Sequence, residues 1–73
     1  MSSFGVVLFH TTSSAFRAEK VVAKARLVSK LIPTPREFSS DCGIALRFDW
    51  GQVEQVRASL TSERVEVAGI HPL

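Results

Sequence analysis

Residues 43–60, GIALRFDWGQVEQVRASL, carry two periodicities back to back. In residues 43–48 apolar side chains alternate. Ile44, Leu46 and Phe48 fall on one side and Ala45 and Arg47 on the other, the period of a strand with one buried face. After Phe48 the spacing changes. Val53, Val56 and Leu60 recur at intervals of three and four, with Trp50 at the first turn, which is the stripe of an amphipathic helix. Between the two stands Asp49, a strong N-cap, and Gln52 three residues later completes a capping box. A strand therefore runs almost directly into a helix.

Working outward, the same pairing occurs earlier in the chain. Residues 5–9, GVVLF, are short, β-branched and aromatic, and fit a central strand. Ala15, Ala18, Val22 and Ala25 then recur at helical spacing, with Phe16 and Val21 alongside and Arg17, Glu19, Lys20 and Lys24 on the remaining surface. This predicts an amphipathic helix of about 14 residues. Thr11, Thr12 and Ser13 are all competent N-caps for it. Residues 27–32, LVSKLI, read as a more polar strand at a sheet edge, stopped by Pro33. Residues 64–70, RVEVAGI, read as a last strand with Val65 and Val67 inward. The order is β-α-β-β-α-β. Two right-handed β-α-β units interleaved give an α+β fold, the ferredoxin-like sandwich. Its antiparallel sheet has the order 4-1-3-2, with both helices on one face. A different small α/β arrangement of the same elements is the alternative.

Composition narrows the function. With 73 residues, the whole of 1–73 is one domain with a thin core. An apolar fraction of 45% with 22% charged residues is that of a globular chain. No run approaches the roughly 20 apolar residues of a membrane span. The net charge is only +2, and the basic residues are scattered from Arg17 to Arg64, so no nucleic-acid face is indicated. RNA-recognition modules share the fold but need aromatic residues on the open face of the third strand, where this chain has Ala45 and Arg47. The opening MSSFGVVLFH lacks the basic start and small-residue cleavage site of a secretory signal, and a lone thiol fits a reducing cytoplasm. One cysteine and two histidines, His10 and His71, expected at opposite edges, do not make a metal site. No cofactor is implied, and so small a sandwich has little room for an enzyme's substrate pocket.

The topology also gathers a cluster. The start of the third strand lies beside the end of the first, where the first helix begins. His10, Thr11, Thr12, Ser13 and the 33–42 loop, with Arg36, Ser39 and Ser40, therefore meet near Cys42 and Gly43. In one reading Cys42 is a reactive thiol. Its thiolate is favoured by the positive end of the helix and by a cation, Arg36 or protonated His10. His10 could equally act as a base, and Thr11, Thr12, Ser13, Ser39, Ser40 and Gly43 would surround an anion. In the other reading Cys42 is packing, since free cysteine is among the most buried residue types. His10 is then a strand-end residue, Ser39 and Ser40 shape a turn, and Arg36 with Glu37 is a solvated pair. Asp41, next to the thiol, opposes ionisation.

The run LIPTPREFSSDCGIALRF, Leu31 to Phe48, closely resembles the signature of a small prokaryotic family of selenium/sulfur carrier protein-like chains. LFHTTSSAFRAEKVV, Leu8 to Val22, is similar to that family's first strand and helix. The motif is P-T-P-R-E-x-S-S-x-C-G. The resemblance implies a persulfide or perselenide held on Cys42, framed by Ser39, Ser40 and Gly43 and approached through Pro33, Pro35, Arg36 and Glu37. Phe38 stands where an aliphatic residue is expected, and Asp41 departs towards negative charge. The implied partners are a sulfur or selenium donor, such as a cysteine desulfurase, and an acceptor such as a selenophosphate- or sulfur-inserting enzyme. The role is that of a stoichiometric shuttle more than an enzyme, and without a second cysteine no dithiol cycle is available. It expects Cys42 to be at least partly exposed. The alternative is a small-ligand or protein-interaction module that dimerises through the helix-free face of the sheet.

Overall fold

The alternation at 43–48 does produce a central strand, and the rest of the sheet assembles around it. A computed structural model describes residues 3–38 and 42–73. Its elements are β1 (Phe4–Leu8), α1 (Thr12–Lys24), β2 (Ser29–Pro33), β3 (Ile44–Asp49), a 3-10 turn (Trp50–Gln52), α2 (Val53–Ser62) and β4 (Gly69–Pro72). The four strands form one antiparallel sheet in the order β2-β3-β1-β4, the order expected from the sequence. Val7 lies opposite Leu46, and Leu46 opposite Leu31. β2, the more polar strand, is at an edge, where half-exposed residues are tolerated.

The main core forms on one face of this sheet. Val7, Phe9, Leu46 and Phe48 pack there with Ala15, Ala18 and Val22 of α1 and Val56 and Leu60 of α2. Both helices thus bury their apolar stripes against the same strands, and the small alanines let α1 approach closely. Gly5 belongs to this face. A Cβ on it would sit 2.4 Å from the Trp50 ring and 2.7 Å from that of Phe48. The indole packs on bare backbone here, and its ring stacks on Phe48 with centroids 5.9 Å apart.

Helix termini account for two departures from the expected boundaries. Asp49 does act as a cap, but its Oδ1 accepts from the Gly51 N–H at 2.9 Å, opening a 3-10 turn. Gln52 does not reach back to complete a capping box, and its Oε1 is buried without a partner. The last strand begins at Gly69 instead of Arg64. The cause is the end of α2. Arg64 adopts a left-handed backbone (φ 57°), Val65 N–H bonds to the Leu60 carbonyl at 2.9 Å, and Arg64 N–H bonds to that of Thr61 at 3.1 Å. This is a Schellman motif, and it turns Val65 back onto the core. Val65 and Val67 do point inward as expected, but ahead of the strand. α1 ends the same way, with Arg26 at φ 63° and Leu27 N–H bonded to Val22 at 3.1 Å. Arginine fills a position where glycine is the usual signal, so neither helix end is announced by a glycine.

The other face of the sheet carries no helix, yet it is not bare. Val6, Leu8 and Ala45 are buried there, with Ile32 and Phe38 packed against them. Phe38 comes from the loop after β2, just beyond a turn closed by its N–H to the Pro35 carbonyl at 3.0 Å. Its ring stacks on that of His71, centroids 4.9 Å apart. The loop therefore reaches across the face as far as β4.

Candidate functional site

Two elements fix Cys42. The first is α1. Thr11 is its N-cap, and the hydroxyl accepts from Ser14 N–H at 3.1 Å while donating to Ser14 Oγ at 3.0 Å. Thr12 is the first helical residue, and its Oγ1 lies 3.8 Å from Cys42 Sγ, in reach of a weak O–H···S or S–H···O bond. The sulfur thus faces the opening turn of a helix, where backbone N–H groups and the dipole favour negative charge. The second element is Thr34, whose N–H donates to the Gly43 carbonyl at 3.0 Å and whose hydroxyl donates to the Cys42 carbonyl at 2.8 Å. Pro33 and Pro35 have no N–H, so Thr34 is the only backbone donor of the Pro-Thr-Pro tripeptide. That was the available signal for a clamp that reasoning from the sequence passes over.

The sulfur is buried. Cys42 is 3% exposed and belongs to the main core cluster, together with Val7, Phe9, Ala15 and Ala18. Partial exposure, expected of a carrier thiol, is not met in this conformation. Its placement is that of the packing reading of Cys42, with the side chain turned under the first turn of α1.

The other expected participants are distributed unevenly. Thr12 meets the thiol, and Thr11 is occupied in capping. Ser13 is exposed in the first turn of α1, His10 is exposed just before the cap, and Gly43 is exposed beside Cys42. An added Cβ at Gly43 would have nothing within 4 Å, so the backbone next to the thiol is open to approach. Arg36 is exposed in the Pro35–Phe38 turn, and no hydrogen bond or ion pair brings it to Cys42. Ser39, Ser40 and Asp41 lie outside the described residues.

His71 lies near the end of β4, away from His10 as expected. It lies within β4 opposite Val6, stacked on Phe38, and so shares the helix-free face with the loop that leads to the thiol. Phe38 fills a structural position on that face, more than the local packing its sequence neighbours indicate. Among the described residues no three His, Cys, Asp or Glu side chains stand together to hold a metal ion.

A lone cysteine at a helix mouth, behind a Pro-Thr-Pro loop, is the arrangement on which comparison with known proteins bears. Residues 4–72 match the model of the family described as "Putative Se/S carrier protein-like". The chain belongs to this family. Its match spans every strand and both helices, with Cys42 the one cysteine available to it. Neither a curated protein nor a solved structure matches the chain.

Proposed function

We infer that this chain carries sulfur or selenium on Cys42 as a persulfide or perselenide and passes it between partner proteins. The single observation that supports this most is the meeting of family membership with geometry. The only thiol of a selenium/sulfur carrier-like chain lies 3.8 Å from the hydroxyl that opens α1. In the proposed step the Cys42 thiolate attacks the outer sulfur of a donor hydropersulfide. A new S–S bond forms to Cys42, the donor's S–S bond breaks, and the donor leaves as a thiolate. An acceptor nucleophile later attacks the outer sulfur and returns Cys42 to the thiolate. No external oxidant or reductant enters. Thr12 and the first N–H groups of α1 would stabilise the anion in each resting form.

Burial sets the condition for this chemistry. With 3% of its surface accessible, the thiol must be uncovered before a donor reaches it. The two hydrogen bonds from Thr34 and the contact with Thr12 are part of what this uncovering must release. Carriage also assigns the chain to a compartment that keeps thiols reduced, as the cytoplasm does. The element order and strand order support a ferredoxin-like sandwich. The alternative use of such a sandwich, dimerisation through the helix-free face, has to contend with Phe38, which already covers Val6, Leu8 and Ala45.

Intact-mass measurement after incubation with a persulfide donor tests the carrier reading. The wild-type chain should gain the mass of one sulfur and Cys42→Ser none. An unmodified wild-type chain, with its thiol alkylated only under denaturing conditions, would rule it out.

A further inference from the structure

The helix-free face has a second end, away from Cys42, where β1 begins and β3 finishes. A groove of about 520 Å3 lies there, lined by Phe4, Val28, Lys30, Arg47, Asp49 and Gln52 among others, a volume in the range of small-ligand sites. Lys30 and Arg47 face each other directly across β2 and β3. Like charges in that register destabilise a sheet. Among the described residues neither cation has a hydrogen-bond or ion-pair partner.

Arg47 is instead held over the Phe4 ring, its guanidinium carbon 4.5 Å from the centroid. A cation–π contact of this kind fixes the orientation of the planar fork while leaving its N–H donors available. The apolar walls are accessible, with Phe4 40% and Val28 80% exposed. Asp49 is the one acid in the lining, and its Oδ1 is bonded to Gly51 N–H. The Gln52 side chain also borders the groove, with its Oε1 turned into the protein.

We propose that this groove is a binding site for a small aromatic carboxylate. The carboxylate would lie between the Lys30 ammonium and the Arg47 fork, and the flat apolar body would rest on Phe4 and Val28. The two cations supply the charge complement, and the exposed phenyl and valine surfaces supply the area that a simple inorganic anion would leave wet.

Amide chemical-shift titration with benzoate tests this directly. Benzoate should shift the amides of residues 28–30 and 47–52 and saturate with a Kd of about 1 mM. Acetate, which has the charge alone, and benzyl alcohol, which has the ring alone, should each bind at least about fivefold more weakly. Arg47→Gln and the fully surface-placed Lys30→Gln should each weaken benzoate by a similar factor. Equal affinity for acetate and benzoate, unchanged titration of both variants, or shifts spread over the whole chain would overturn the assignment. The groove and the thiol lie at opposite ends of the sheet, so Cys42→Ser protein should give the same curve as wild type. A changed curve would place the anion at the thiol and sink the groove site, whereas failure of sulfur loading would leave the groove untouched.

Discussion

The two faces of the sheet are built on different terms. One is covered by two helices, whose alanines, valines and leucine interlock with Val7, Leu46 and Phe48. On the other, among the described residues, Phe38 of the loop and Ile32 of the edge strand pack over Val6, Leu8 and Ala45. The first face is held by many contacts spread over two elements, so losing one leaves a cavity but not an opening. Among the described residues, the second is covered by Phe38 and Ile32, so the loss of either side chain falls on a thinner layer. Stability therefore resides chiefly on the helix face, where Cys42 also packs, while Phe38 ties the loop after β2 to the helix-free face.

The sharpest way to break this contrast is to hollow out the stronger side. Phe48→Ala should cost about 3–5 kcal/mol, since a fully buried ring leaves a cavity that the sandwich cannot close. Denaturant unfolding would show it, and a cost as small as that of a surface change would mean that the helix face is loosely packed. Phe38→Ala should behave differently. Its half-buried ring removes about 1–2 kcal/mol from the fold. Because that loss falls on local opening, Cys42 should alkylate about tenfold faster under native conditions. A Cys42 rate equal to that of wild type would show that Phe38 does not keep the thiol covered, and the contrast between the faces would lose its functional meaning.

The smallest effect should come from the helix ends, which belong to the covered face. Arg64→Gly relieves a left-handed arginine and should raise stability by about 0.5 kcal/mol after the entropy of glycine is set against it. The Glu63 and Arg64 carbonyls, which accept from the Arg17 guanidinium at 2.6 and 3.4 Å, stay in place in this variant. A drop in the unfolding midpoint would mean that the arginine side chain itself supports the turn.

Which features were legible in the sequence follows from how local their causes are. β3, α1 and the strand order could be read because period, capping residues and crossover handedness are short-range properties. The late start of β4 could not be read. Arg64 occupies the left-handed position without a glycine to mark it, and Val65 and Val67 alternate as they would in a strand while packing as a turn. The capping box at Asp49 and Gln52 was a sound local pattern that lost to a 3-10 turn. At the site, Thr12 and Cys42 were correctly brought together, because the sheet order alone places them there. Burial of the sulfur was one of two readings that residue type left open, whereas the reach of Phe38 to His71 was not legible, because it depends on where a loop lands in space.

The clasp between Phe38 and His71 has a consequence for the order of assembly. The two rings come from the middle and the end of the chain, and His71 is in position only once β4 has added to β1. The contact of Phe38 with β4 thus forms only after the final strand is in the sheet. A chain still lacking β4 leaves the Phe38 ring without its stacking neighbour, and only the completed sheet joins the middle of the sequence to its end.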